Sequence, residues 1–188
     1  MKYFLIRSKP KLEVEPIEAA LANCKIKDEK ILTDYTVLSQ DGARFPCHRI
    51  FLATQSPPLM AKMTLDMKEK RESEMRLEYE QEVVRHFVDY FYTGMIPQET
   101  LEENLESFLA LADFYDLAGM KLQTEKAAIK KMTVGDMLEM NVLANLYRAD
   151  QLKVASEFLI QNNKESLKDQ DLTGYPANVI ADILRLIC

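Results

Sequence analysis

The segment from residue 34 to residue 69 constrains the fold of this chain most strongly. An Asp-Gly pair, Asp41-Gly42, lies between two short strand-like runs and favours a tight hairpin, because glycine accepts positive φ angles freely. Ser56-Pro57 then indicates a helix start, since serine caps helices and proline suits their first position. Three apolar residues follow at intervals of four, as on one face of a helix: Leu59, Met63 and Met67. The segment predicts a hairpin and a helix within a mixed core.

The remainder of the chain shows one more strand pattern and then a succession of helical patterns. Residues 75–79 alternate apolar and polar side chains, which is typical of a half-buried strand. Residues 82–92 carry an apolar stripe that ends at Gly94, a residue suited to the left-handed end of a helix. Thr100 to Glu103 match a capping box ahead of a stripe that begins at Leu105. Further helices are predicted over residues 120–131, from residue 133, up to about residue 162, and over residues 177–186. Strands followed by many helices indicate an α+β fold.

Composition and charge exclude several classes of function. The chain of 188 residues has a net charge of −6 and no dense basic patch, so direct nucleic-acid binding is not expected. Its three cysteines, Cys24, Cys47 and Cys188, show no paired spacing, which fits a reducing compartment. No apolar run is long enough to cross a membrane, and the one near the start is too short for a secretory leader. The sequence therefore predicts an intracellular protein, nuclear or cytoplasmic.

The sequence lacks the motifs of common catalytic and cofactor sites. It has no glycine-rich phosphate loop, no Cys-x-x-Cys pair, no His-Glu-x-x-His motif and no nucleophile elbow. The two histidines are His48 and His86, and packing is the expected role of both. A nucleophile pair of Cys47 and His86 stays open as an alternative, although no pattern supports it. We therefore expect no enzyme activity, no metal site and no cofactor.

Methionine is abundant, and Met67 occupies a special place in the pattern. It ends the apolar stripe that begins at Leu59 and leads directly into a charged run, Lys68 to Glu74. Methionine suits adaptable binding surfaces because its side chain is flexible and polarizable. Met67 is therefore a candidate for an exposed apolar contact at the end of a helix.

Several short motifs together resemble the BTB/POZ domain family over about residues 14–130. They are Asp34 to Val37, the Asp-Gly turn, Phe45 to Ala53, Ser56-Pro57 and Phe91 to Gly94, in the order and at the spacing of that family. Cys47 stands where the family usually has alanine, and Leu59 where it usually has an aromatic residue. Both replacements are apolar. The resemblance implies a BTB/POZ fold, which is a helical cluster capped by a short sheet.

Residues 131–188 are similar to the helical extension of speckle-type POZ proteins, called the 3-box or the start of a BACK domain. The matching parts are Ala149 to Lys153, Phe158 to Ile160 and Asn163 to Leu167. Residues 1–13 belong to neither part, and we interpret them as a remnant or as the end of a preceding domain. The expected organisation is thus residues 1–13, a BTB/POZ domain over 14–130 and an extension over 131–188.

The resemblance implies the function of an adaptor. Speckle-type POZ proteins dimerise and bind the cullin-3 scaffold of an E3 ubiquitin ligase, while a separate domain holds the substrate. In that family an apolar-x-Glu motif after the second BTB helix contributes to the scaffold contact, and Met67-Lys68-Glu69 stands at that place here. Tyr115 corresponds to a further scaffold contact. The resemblance therefore predicts cullin-3 binding at Met67, Glu69 and Tyr115.

The resemblance also implies a two-fold dimer interface. In the family this interface is formed by the first helix and by the start of the helix after the hairpin. The corresponding residues are Ile17, Leu21, Cys24 and Phe51, with Asp34 and Arg49 as a buried charge pair nearby. The partner in the dimer would be a second copy or a related BTB protein.

Two other classes of function stay open. One is an oligomerisation module without cullin binding, as in BTB transcription factors and channel tetramerisation domains. The other is a small enzyme that uses Cys47 or the carboxylates. The sequence contains no MATH, kelch or zinc-finger region, so another domain or subunit would hold the ubiquitination substrate. The chain could then be a fragment, a reduced adaptor or a competitor for cullin.

Overall fold

The computed structural model describes residues 25–26, 31–64, 73–167, 174 and 176–187. Within these residues the strands are β1 Tyr35–Leu38, β2 Arg44–Cys47 and β3 Glu74–Arg76. The helices labelled here are α1 Arg49–Gln55, α2 Pro57–Thr64, α3 Gln81–Thr93, α4 Gln98–Glu103, α5 Leu105–Phe114, α6 Ala118–Lys131, α7 Met137–Leu146, α8 Asp150–Asn162 and α9 Ala177–Ile187. A 3-10 turn, Lys164–Leu167, follows α8. The predicted α+β class with a helical extension is confirmed.

The predicted hairpin forms the first half of a small sheet with the order β2-β1-β3. Strands β1 and β2 pair antiparallel, with Tyr35 opposite Cys47. Gly42 has a φ angle of 88° in the turn, where a side chain would be unfavourable. The Ser39 hydroxyl donates to the Asp41 carboxylate, which also accepts from the N–H of Ala43 and so lowers the pKa of Asp41. The turn is thus fixed by its own side chains.

Strand β3 is shorter than the predicted strand over residues 75–79. It covers Glu74–Arg76 and lies parallel to β1, with Val37 opposite Met75. Pairing continues one residue further, because the N–H of Leu77 donates to the carbonyl of Leu38 at 2.8 Å. The alternation of buried and exposed side chains, which prompted the prediction, is present at Met75, Arg76 and Leu77.

Helix α3 forms the centre of the main core. Its buried residues include long consecutive runs, so the helix is covered on most of its surface: Val83, Val84, His86, Phe87, Val88, Tyr90, Phe91 and Tyr92. The Phe87 ring lies 5.2 Å from Phe91 and 5.3 Å from Tyr115, measured between ring centroids. The sheet, α1 and α5 all pack against α3. The predicted glycine stop is confirmed, because Gly94 has a φ angle of 70° and its N–H donates to Tyr90.

The predicted cap of α2 is also confirmed. The Ser56 hydroxyl accepts from the N–H of Leu59 at 3.3 Å, and its own proton is donated to the carbonyl of Tyr115 at 2.6 Å. Leu59 and Met63 are buried, as their spacing predicted. Ser56 therefore begins α2 and also fixes the end of α5 against it.

The predicted capping box at Thr100 is wrong, because Thr100 lies inside α4 rather than before a helix. Helix α4 follows Pro97, and the hydroxyl of Thr100 is buried 3.5 Å from Nε2 of His86. Helix α5 starts separately after Asn104. A capping box is a short pattern, and the burial of Thr100 against α3 decided its place instead.

Helix α7 begins later than the sequence predicted. The pattern from Thr133 suggested a helix start, whereas α7 begins at Met137. The N–H of Thr133 donates to the Asp136 carboxylate at 2.6 Å, and the N–H of Gly135 donates to the Thr133 hydroxyl at 3.2 Å. The polar side chains thus close a turn ahead of the helix rather than cap its first turn.

Helices α7 and α8 pack directly on α5 and α6. The fully buried residues of this shared cluster are Leu109, Ala128, Ala144, Ala149 and Leu152. Three of them are alanines, which let neighbouring helices approach closely. A second cluster joins α7, α8, the 3-10 turn and the predicted last helix α9 through Met137, Leu138, Ile160, Leu167, Val179 and Ile183. The extension therefore continues the helical core without a gap.

A buried carboxylate connects α6 with the start of α8. Glu125 on α6 is 5% exposed and accepts from the N–H groups of Gln151 and Leu152 at 2.8 and 3.3 Å. The first N–H groups of a helix lack partners within that helix, and a negative charge beside them is favourable. Glu125 thus caps α8 from a neighbouring helix. None of the described helices combines the length and the apolar character needed to cross a membrane.

Replacement of Glu125 tests this capping contact. We expect Glu125→Ala to lower the free energy of unfolding by about 1–3 kcal/mol, because two N–H groups at the start of α8, one of them buried, lose their acceptor. Glu125→Gln keeps an acceptor oxygen and should lose less than half as much. Glu139→Ala on α7 removes an exposed carboxylate and should change stability by less than about 0.5 kcal/mol. Urea unfolding measures all three, and an Ala variant as stable as Glu139→Ala would contradict the role of Glu125.

Candidate functional site

An exposed aromatic side chain stands at the end of α5, beside α2. Phe114 is 65% exposed although it belongs to a helix whose other large apolar residues are mostly buried. Nζ of Lys62 on α2 lies 5.8 Å from the centroid of the Phe114 ring, and Met60 on the same helix is partly exposed. Cation–π contact of this kind holds an aromatic ring in place without burying it. We call Met60, Lys62 and Phe114 the α2–α5 surface.

Tyr115, predicted to contact a scaffold, lies beneath this surface rather than on it. Its side chain is 3% exposed, and its ring packs on Phe87 and, at 4.9 Å, on Phe114. Its carbonyl accepts the bond from Ser56. Tyr115 therefore supports Phe114 from below. Met67 and Glu69, the other two predicted scaffold contacts, lie outside the described residues.

The sequence contained a signal for Phe114 that its analysis missed. The apolar stripe of α5 runs through Leu105, Phe108, Leu109 and Ala112, and one further step of three reaches Tyr115. Phe114 is off this stripe. A large aromatic residue on the polar side of an amphipathic helix is a candidate for a binding contact.

A cluster of charges lies next to the α2–α5 surface. Asp113 accepts a bond from Nζ of Lys121 at 2.6 Å and two bonds from the guanidinium of Arg148, at 3.0 and 2.7 Å. The Arg148 bonds, followed by those from Lys121, hold the pKa of Asp113 below its ordinary value. Because Arg148 precedes α8 and Asp113 precedes Phe114, this clamp joins the extension to the exposed aromatic.

Further polar contacts tie Tyr147 to the same region. Its hydroxyl donates to Glu106 on α5 at 3.0 Å, and its carbonyl accepts from Nζ of Lys121 at 2.9 Å. Burial, with the nearby Glu106 carboxylate, raises the pKa of Tyr147 to about 12. The phenol therefore stays protonated and donates at physiological pH. The end of α7 is thus held against both α5 and α6.

The residues predicted for a dimer interface divide into described and undescribed ones. Ile17, Leu21 and Cys24 lie outside the described residues. Asp34 is exposed and accepts from the backbone N–H of Arg49 at 2.8 Å, so it caps the start of α1. The Arg49 side chain instead lies over the Tyr35 ring, 5.3 Å from its centroid, and donates to the hydroxyl of Ser73. In the described chain the two side chains thus do not form the predicted buried charge pair.

Phe51 is half-buried in a group of rings around His48. Its centroid lies 4.7 Å from that of Tyr92 and 5.8 Å from that of His48. Nε2 of His48 lies 2.6 Å from the carbonyl of Ile31, which can only accept, so Nε2 carries a proton. Nδ1 of His48 pairs with the Tyr92 hydroxyl at 2.7 Å, and this hydroxyl accepts from the backbone N–H of His48. Burial raises the pKa of Tyr92. His48 thus packs and positions the chain at Ile31.

Three exposed apolar residues surround this group. Leu32 is 87% exposed, Ile50 at the start of α1 is 63% exposed, and Ile31 is also exposed. The bond from His48 to Ile31 brings residues 31–32 close to α1. We call Ile31, Leu32 and Ile50 the α1 apolar surface. Short connections are normally polar, so no sequence pattern predicted this surface.

The residues of the alternative catalytic site are not arranged for access. Cys47 is fully buried in strand β2, and His86 is buried against Arg85 and Thr100. A nucleophile needs a path for its substrate, and the buried thiol offers none. Among the described residues no group of three or more metal-ligating side chains comes together.

Comparison with known proteins gives two findings. The profile of the family described as BTB/POZ domain matches residues 25–132. Kelch-like protein 23 of Pongo abelii is 27% identical over 142 residues, which cover 75% of this chain and 25% of that protein. The chain thus spans about a quarter of the length of the curated relative it matches.

The clamp at Asp113 predicts a pH-dependent contribution to stability. We expect Asp113→Asn to lower the free energy of unfolding at pH 7 by about 1–2 kcal/mol, since partly exposed charge-assisted bonds are lost. The folded pKa of Asp113 is lower than the unfolded one, so its contribution is present above the ordinary value of 3.8 and is lost as pH falls through the folded value. Urea unfolding of both proteins at several pH values measures the difference.

The matched control for the clamp is Glu103→Gln, which removes one exposed carboxylate from the end of α4. It should unfold like the wild type at every pH. An Asp113→Asn difference that stayed constant down to pH 2, or that equalled the control, would contradict the clamp.

Proposed function

The chain belongs to the BTB/POZ domain family, and from this we propose that it is an adaptor that dimerises and binds a cullin-3 type scaffold. In this role it is a non-catalytic interaction subunit of a cullin-RING E3 ubiquitin ligase. The substrate for ubiquitination is held by another domain or subunit. The protein acts inside the cell, in the nucleus or the cytoplasm.

The observation that carries the proposal is the exposed Phe114 on a rigid support. Tyr115 packs below its ring, Lys62 lies over it and Asp113 is clamped beside it. An aromatic anchor that is already ordered loses little entropy on binding, and such anchors dominate the free energy of protein interfaces. The α2–α5 surface is therefore the proposed centre of scaffold binding.

Met67 and Glu69 extend this site in the proposal. They follow the end of α2 at Thr64 by three and five residues, and α2 carries Lys62 and Met60 of the surface. Met67 would enter an apolar pocket of the scaffold, and Glu69 would fix the orientation by a polar contact at the rim. Tyr115 acts through its support of Phe114.

The extension favours the adaptor over an oligomerisation module without cullin binding. Arg148 and Tyr147 attach α7 and α8 directly to α5, next to Phe114. This arrangement enlarges the surface around Phe114 rather than the surface around α1. Residues 131–188 thus serve as the 3-box or BACK-like part of the scaffold site.

Self-association uses a different surface in the proposal. Phe51 and Arg49 on α1, with Asp34 before β1, lie next to the α1 apolar surface. Exposed apolar side chains on a BTB domain are suited to a two-fold contact, since each buried pair releases water from both copies. Ile17, Leu21 and Cys24 complete the proposed interface. Because the two surfaces consist of different residues, we expect that mutations can remove dimerisation and scaffold binding separately.

Scaffold binding is tested with a recombinant cullin-3 N-terminal domain. We expect the wild-type chain to bind, and the double variant Met67→Ala with Glu69→Ala to lose binding. Phe114→Ala should weaken binding by about tenfold or more, because truncation of a central aromatic anchor costs at least about 2 kcal/mol. Isothermal titration calorimetry measures the affinities.

Met95→Ala is the matched control for Phe114→Ala. Met95 is 69% exposed, almost the same fraction as Phe114, and it lies between α3 and α4, outside the proposed scaffold and dimer surfaces. This variant should bind the scaffold like the wild type. Absence of wild-type binding would reject the adaptor and favour the oligomerisation module. Equal losses in the Phe114 and Met95 variants would reject the α2–α5 surface as the binding centre.

The dimer is tested by light scattering of the full chain at micromolar concentration. The wild type should have the mass of two chains, and Leu32→Asp with Ile50→Asp should have the mass of one, because charges disfavour an apolar contact. Leu146→Asp, also at an exposed apolar residue, should remain dimeric. A wild-type mass of one chain, or a dimeric double variant, would contradict the proposed interface.

A further inference from the structure

A groove along α6 lies away from both proposed surfaces. Its central cavity of about 230 Å³ has an apolar floor formed by Ile96, Leu101 and Ala127. Met95, which is 69% exposed, forms one side, and Lys126 and Lys130 form the other. The charged residues that line this cavity are Lys126 and Lys130. We call the cavity and its rim the α6 groove. A separate cavity of about 510 Å³ adjoins it at Lys130.

The exposed Met95 is held by a fixed backbone. The Gln123 side chain on α6 accepts from the N–H of Ile96 at 3.1 Å and donates to the carbonyl of Gly94 at 2.7 Å. The hydroxyl of Thr93 accepts from the N–H of Met95 at 3.1 Å and donates to its carbonyl at 2.9 Å. These bonds order the loop before any partner arrives, so binding here would cost little loop entropy.

The rim of the groove carries an excess of positive charge on its α6 side. Lys126 and Lys130 are one helical turn apart, a spacing at which like charges disfavour the helix. Within the described part of the chain, no carboxylate lies within ion-pair distance of either lysine. The chain as a whole has a net charge of −6, so the local charge at these two lysines is opposite in sign to the net charge.

The size and chemistry of the groove select its occupant. The central cavity is smaller than the usual pocket for a small molecule, about 300–1,000 Å³, but it can hold one large aliphatic side chain. Two lysines without an exposed aromatic platform in the groove are a poor match for nucleic acid. Apolar anchoring and charge complementarity together fit a peptide.

We propose that the α6 groove binds an acidic segment of a partner protein, with one leucine-sized or methionine-sized side chain in the cavity beside Met95. Carboxylates of the segment contact Lys126 and Lys130. Glu99 and Glu102 border the adjoining cavity next to Lys130, so Lys126 contributes more of the attraction. This binding is independent of the scaffold and dimer surfaces.

The test uses the full chain and two fluorescein-labelled synthetic peptides of equal length. One combines leucine with glutamate, and the other replaces every glutamate by lysine. Fluorescence anisotropy should show saturable binding of the leucine–glutamate peptide and none of the leucine–lysine peptide. Raising the salt concentration from about 0.05 M to about 0.5 M should weaken the binding, because salt screens the charges.

Variants locate the binding in the groove. Lys126→Glu and Met95→Ser should each weaken the leucine–glutamate peptide by about tenfold or more, and Lys130→Glu by less. The matched controls are Lys164→Glu, with the same change of charge, and Val154→Ser, at an apolar residue that is 67% exposed. Both controls should bind the peptide like the wild type. Circular dichroism melting checks that every variant is folded.

Three results would overturn the proposal. They are equal binding of the two peptides, no saturable binding up to about 1 mM peptide, and variants of Lys126 and Met95 that bind like the controls. Lys126→Glu should also leave cullin-3 binding unchanged. If it removed both, the groove would belong to the scaffold surface and not to a separate partner.

Discussion

The structure depends on the burial of helix α3. This helix turns one polar face, which includes Glu82 and Arg85, to water, and the sheet, α1 and α5 cover its apolar remainder. Its aromatic residues then hold residues of neighbouring elements in place. The Phe87 ring packs on the ring of Tyr115, and the Tyr92 hydroxyl bonds to His48. Each of these neighbours lies directly under one exposed surface. Phe114 rests on Tyr115, while the chain at Ile31 is held by His48. The contact surfaces are thus the outer layer of contacts that begin in the core.

Much of the fold could be predicted because local chemistry and burial agree in the first half of the chain. The Asp-Gly turn, Ser56 and Gly94 each have a backbone role that few other residues fill, and the structure uses each of them as expected. The errors occur where a short pattern competes with burial. Thr100 matches a capping box, yet its contact with His86 draws it into a helix. The parallel pairing of β3 with β1 depends on contacts across about 40 residues, which no local pattern records.

The candidate site was less accessible to sequence reasoning. Resemblance supplied Tyr115, whereas the structure places its neighbour Phe114 at the surface. Adjacent residues are rotated by about 100° around a helix, so one of the two faces the core and the other faces solvent. Only the apolar stripe through Ala112 indicates which of them is buried. The clamp at Asp113 joins residues 35 positions apart. Its geometry depends on a left-handed backbone at Arg148, with a φ angle of 52°, which sequence patterns do not predict for arginine.

The shared core between α5, α6 and the extension affects how the protein is made. On the ribosome, residues up to Lys131 emerge before α7 and α8, so Leu109 and Ala128 face water until Leu152 follows. During that interval Glu125 has no helix start to cap. During synthesis the BTB part therefore exposes an apolar face, which is covered only after α7 and α8 have been made. A nascent chain stalled between α6 and α8 is the form in which chaperones would have most to bind.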